Sequence, residues 1–164
     1  MRGRLLATEQ ILTILAETPP RIVALTAGLA PAQLHSAPNP DEWSASDVLA
    51  HLRACNDVWG NNMLVIIAED RPTLRGVNPR AWIKKTDYRE QEFQPSLSTF
   101  ATQRADLLAV LESLPPEGWS RTATVIDMIG RPLARTVLYY ADGLARHERT
   151  HVKQIERIVN TMRM

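Results

Sequence analysis

Leu144-Ala145-Arg146-His147-Glu148-Arg149-Thr150-His151-Val152-Lys153-Gln154-Ile155 sits in the last long apolar-periodic segment of the chain. Its H-E-x-x-H pattern sets two imidazoles four residues apart. On a helix that is about one turn, so both rings can point at one ion. With His147 at zero, His151 falls at about 40°, Tyr140 and Ile158 at about 20°, Leu144 and Met162 at about 60°, and Val137 and Ile155 at about 80°. The histidines therefore lie inside one apolar stripe. Asp142, Arg146, Arg149, Lys153, Glu156 and Arg157 fall between about 180° and 280°, the expected solvent side. Glu148, at about 100°, is the only charge near the buried stripe.

Working back along the chain, three more segments read as helix and strand patterns are nearly absent. The first runs from about Arg4 to Leu29, and Pro19-Pro20 should break or kink it. A linker, Ala30–Trp43, carries three prolines and His35, which is expected to be exposed. Ser44 or Ser46 then caps a helix reaching about Ala68, with Asp47 favourable in its first turn. The connection Glu69–Pro95 is long for a structureless loop; such loops are often functional, and this one has room for a short helix. A third helix spans about Ser96 to Leu114 and stops at Pro115-Pro116. Arg121–Arg131, with alternating β-branched residues and Gly130, suits a short hairpin or turn, and Pro132 suits the first turn of the last helix. Four long amphipathic helices predict an all-α fold, a four-helix bundle forming a single domain over residues 1–164.

Composition narrows the function. At 164 residues the chain can bury about two-thirds of its unfolded surface. Nineteen basic against 18 acidic residues argue against a dedicated nucleic-acid or membrane-surface binder. Residues 131–164 hold seven Arg/Lys and three acids, a modest +4 that suits a solvated face. One cysteine, Cys55, excludes an internal disulfide. The N-terminus is not patterned as a signal peptide, and no apolar run approaches a membrane span. The expected location is cytoplasmic.

Two more residues join the histidines in the predicted interior. His51 lies at the margin of the stripe Val48, Cys55, Trp59 and Ile66, so its ring can reach the bundle core. Arg104 lies between Phe100 and Leu107 on the apolar face of the third helix, where a charge needs a partner or a water-filled pocket. His51, His147 and His151 together would make an open His₃ metal site of catalytic type. Three neutral nitrogen donors suit Zn, Ni, Fe or Cu. Cys55, one turn from His51, is either a fourth ligand or a small core residue. Glu148 is a candidate catalytic residue that orients or deprotonates a metal-bound water, or else a partner that fixes a histidine tautomer, or a rim salt bridge. Arg104 is a candidate substrate-binding residue for an anion, or the ion-pair partner of Glu148. A zincin-type protease is disfavoured. It needs an edge strand for its peptide and a downstream third ligand, and Glu156 points to the solvent side.

These residues resemble the DinB-like (DinB/YfiT-like) superfamily of metal-dependent enzymes, which includes thiol-dependent S-transferases and mycothiol-dependent maleylpyruvate isomerases. The signposts are Asp41-Glu42-Trp43-Ser44, Val48-Leu49-Ala50-His51-Leu52, Phe100 and Arg104, Gly130, and His147-x-x-x-His151. The resemblance implies an up-down-down-up bundle with a long crossover between the second and third helices. It also implies a divalent metal, zinc or nickel by expectation, held by His51, His147 and His151, and a homodimer. The expected activity is thiol-dependent S-transfer to a small-molecule substrate, with a low-molecular-weight thiol such as mycothiol or bacillithiol. A metal-dependent hydrolase and a non-enzymatic metal- or ligand-binding bundle are the alternatives. No nucleic-acid or membrane partner is expected.

Overall fold

Ser44 and Asp47 cap each other's backbone N–H groups at 3.0 Å, and this capping box starts helix α3 (Ala45–Ala68), which carries His51. The computed structural model describes residues 4–164; residues 1–3, included in the single-domain expectation, lie outside the described residues. Three other long helices make up the bundle with α3: α1 (Thr8–Thr26), α5 (Phe93–Glu112) and α6 (Val137–Met162). α6 packs against both α1 and α3, and α5 packs against the same two helices. Two large apolar clusters and a small one, Ala50, Ala54 and Ile83, fill the interior among the described residues. One large cluster centres on Ile11, Leu15, Met63, Leu111 and Leu144, the other on Ile22, Leu49, Leu52, Phe100 and Ile158.

Two short helices, α2 (Pro31–Leu34) and α4 (Pro79–Ile83), and a 3₁₀ turn at Pro116–Ser120 complete the helical elements. α4 lies in the long connection, as the sequence allowed. That connection is tied to α3 through Asp57, whose Oδ2 accepts from Trp82 Nε1 at 3.1 Å and from the Tyr88 hydroxyl at 2.5 Å. Behind Tyr88, the buried Arg53 guanidinium lies 3.8 Å from the ring centroid and donates to Gln91 and Ser96.

The all-α expectation needs correction. A small three-stranded sheet joins the bundle: β1 (Thr73–Arg75) runs parallel to β2 (Thr122–Ile126), which pairs antiparallel with β3 (Pro132–Thr136). The hairpin turns at Gly130, whose φ of 86° suits a residue without Cβ, and Asp127 Oδ1 accepts from the Ile129 and Arg131 amides. Pro132 therefore opens an edge strand, another position that tolerates a missing N–H. The helix begins five residues later, where the Thr136 hydroxyl accepts from Tyr139 N.

Pro19 and Pro20 do not break the first helix, because α1 runs through both. Proline at position 19 removes the donor that Leu15 O would receive. Arg104 Nη1 replaces it, donating to Leu15 O at 3.0 Å. At the other end of the connection, Pro95 enters the first turn of α5, where an N–H has no intrahelical acceptor. Asp142, expected on the solvent side, is fully buried: the segment before α1 crosses over it, and its Oδ1 accepts from Leu6 N and Arg146 Nε. No helix among the described residues is long and apolar enough to cross a membrane.

Candidate metal centre

α3 and α6 bring His51, His147 and His151 to one point. One ring nitrogen from each lies within 4.8 Å of the other two. His51 Nε2 and His147 Nε2 are 2.8 Å apart, and all three rings meet at wide angles rather than stacking. His151 Nδ1 contacts Gln154 Oε1 at 2.7 Å. A carboxamide oxygen only accepts, so the proton sits on Nδ1 and Nε2 keeps its lone pair for an ion. Gln154 is one turn beyond His151, and its i,i+3 spacing was the available signal for this role.

Two indoles wall the cluster. Trp43 meets His51 edge-on at 5.2 Å and stacks on His151 at 6.3 Å, while Trp59 meets His147 edge-on at 5.2 Å. His51 is buried and the other two rings are half-buried. Burial, then the neighbouring histidines, pushes the His51 and His147 pKa values down to about 4. Burial also lowers that of His151, against the opposing pull of Gln154. All three rings are therefore neutral at pH 7, the form that binds metal.

The donor set fits a divalent ion. At metal–nitrogen distances of about 2.0–2.1 Å, nitrogens around one ion lie about 3–4 Å apart; here two lie 2.8 Å apart and all three within 4.8 Å, close to that range. Cys55 lies beside this point, its Sγ 3.6 Å from His51 Nε2. Burial, followed by Glu148, pushes its thiol pKa up to about 12, so the side chain is a protonated thiol in the core. A cleft of about 440 Å³ reaches His147 between Trp59, Tyr139, Tyr140, Arg135 and Arg146.

Glu148 and Arg104 form a separate buried cluster. Arg104 Nη1 donates to Glu148 Oε1 at 2.7 Å, and Nη2 donates to Oε2, a bidentate pair. Arg104 Nε and Nη2 also donate to Asn56 Oδ1, at 3.3 and 2.9 Å. The side chains of Arg104 and Glu148 are 1% and 0% exposed. With its fork fully engaged, Arg104 is better read as an ion-pair partner than as a substrate-binding residue, and Glu148 better as its counter-charge than as a catalytic base. His35 is exposed, as expected.

A helical bundle with three converging neutral imidazoles defines a candidate metal-binding protein of the His₃ type. The chain belongs to the DinB superfamily, whose family model matches residues 14–155. Among solved structures it is similar to YfiT from Bacillus subtilis, described as a probable metal-dependent hydrolase with an unusual four-helix bundle topology. That likeness has a TM-score of 0.81 and covers 99% of this chain and 93% of that one, at 16% identity. No curated protein matches the chain.

Proposed function

We propose that the protein is a metal-dependent enzyme in which His51, His147 and His151 hold one divalent ion, zinc or nickel, and that it transfers a small thiol onto an electrophilic substrate. The observation that carries this reading is the convergence of three neutral imidazole nitrogens from two helices within 4.8 Å. An ion held there would lower the pKa of a thiol or water in an open position, generating a nucleophile near neutral pH. The histidines supply the ligands, and Gln154 sets the tautomer of His151. Trp43 and Trp59 exclude bulk water from two sides. The cleft beside His147 gives a small molecule its approach.

Thiol transfer suits the site because Glu148 is bound to Arg104 and is not free to take a proton. Water must then be activated from a pKa of about 15.7, whereas a free thiol starts at about 8.5. Hydrolysis is the second reading, favoured by the description of the similar YfiT structure. We further read the chain as one domain that pairs into a homodimer, with up-down-down-up order. In support of that order, Leu6 N donates to Asp142 near the start of α6 and Arg163 donates to Leu25 O near the end of α1, which suits α1 and α6 running the same way.

The deciding assay offers zinc- or nickel-loaded protein a generic electrophile with mycothiol, bacillithiol or glutathione. Turnover with a thiol, lost in His51→Ala, is the expected result. Thiol-independent loss of an ester substrate would select hydrolysis instead. No turnover in either format would leave the chain a non-enzymatic metal-binding bundle.

A further inference from the structure

One cation near the histidines has no counter-charge. Arg80, on α4, is exposed and has no ion-pair partner among the described residues. Its guanidinium lies 5.3 Å from the Trp43 ring centroid, and Trp43 in turn touches both His51 and His151. Arg89, on the same connection, is paired with Asp47 at 3.8 Å. A positive charge placed at Arg80 opposes the arrival of a metal cation. An arginine placed only to anchor α4 would be better neutralised; α4 is already held by Trp82 on Asp57 and by the Asn78 cap.

We infer that Arg80, held against Trp43, is the group that recognises an oxyanion on the substrate, a carboxylate or a phosphate. This rests on the metal-centre reading above and names the substrate class of that site. The planar fork of arginine matches both anions bidentately, and an anion beside the ion would offset the two neighbouring positive charges. Stacking on an indole limits the orientations of the guanidinium without consuming its N–H donors. Arg80 thus fills the anion-binding role that Arg104, closed inside the bundle, leaves vacant. It is a specificity-determining residue set on the connecting segment, outside the four long helices.

The test is calorimetric titration of metal-loaded protein with benzoate, phenyl phosphate and neutral benzamide. Wild type, Arg80→Gln and Lys85→Gln would be compared, with metal content measured on each sample. Arg80→Gln should weaken benzoate, phenyl phosphate or both by about tenfold and leave benzamide unchanged. The anion that suffers more identifies the substrate group. Lys85→Gln, which removes an exposed cation of the same connecting segment, should behave like wild type. Oxyanion affinity unchanged in Arg80→Gln would overturn the inference, as would an equal loss in Lys85→Gln, an equal loss for benzamide, or no oxyanion binding by wild type. A wild-type protein that takes up no metal would instead fail the metal-centre reading, so the two failures are told apart.

Discussion

Around Glu148 every polar group meets a complementary partner from another helix, whereas around His147, its neighbour in sequence, the partners are more imidazoles. Arg104 ties Glu148 on α6, Asn56 on α3 and Leu15 O on α1 into one cluster. It satisfies a carboxylate and also the carbonyl that Pro19 leaves without its helical donor. Such a network is complete in itself and leaves nothing over for a ligand. The three histidines are assembled differently. They bring several lone pairs to one point, with few donors to meet them, and burial keeps them unprotonated. A cation completes that cluster, whereas a proton does so poorly. Adjacent residues on one helix thus serve separate ends, one fixing the bundle and one offering a binding site.

The sharpest way to break this contrast is to remove one member of the closed network. Arg104→Ala should destabilise the fold by about 3–5 kcal/mol, because it leaves a buried carboxylate unpaired. Urea denaturation measures it. A variant as stable as wild type but altered in substrate binding would return Arg104 to the site. On the open cluster the sign reverses. Metal added at about 100 times its Kd should stabilise wild type by about 2.7 kcal/mol and leave His51→Ala unmoved. Thermal melts with and without zinc or nickel read this directly.

Acid should separate the clusters further. Unfolded histidines take protons near 6.5, while folded His51 and His147 resist until about 4. Between those values the unfolded chain binds more protons, so apo-protein stability should fall as pH drops from about 6.5 to about 4. His51→Ala should flatten that slope, and a slope unchanged in the variant would count against neutral, buried imidazoles. The smallest effect is expected at Cys55. Cys55→Ser should leave metal content unchanged, since the thiol is protonated and packed in the core. Loss of the ion would make it a fourth ligand and the site a closed one.

Much of this contrast was legible in the sequence. The i,i+4 spacing of His147 and His151 on an apolar face, with His51 at the edge of another, predicted the cluster from helical geometry alone. The offset of Glu148 and the position of Arg104 on an apolar face left their pairing open as one reading of two. What stayed hidden depends on contacts from far along the chain. The passage of α1 through Pro19 relies on Arg104, 85 residues away. The burial of Asp142 relies on the segment before α1. β1, at three residues, is too short to show a period, and Pro132 suits an edge strand as well as a first helical turn. Arg80 lies in a connection without periodicity, so only the folded chain reveals its approach to Trp43.

The central claim is most directly tested by titrating chelator-treated protein with zinc and nickel and counting bound metal per chain by elemental analysis, in wild type and in His51→Ala of matched helical content. The account predicts one divalent ion per chain in wild type and its loss in the variant. Equal, negligible metal in both would contradict it.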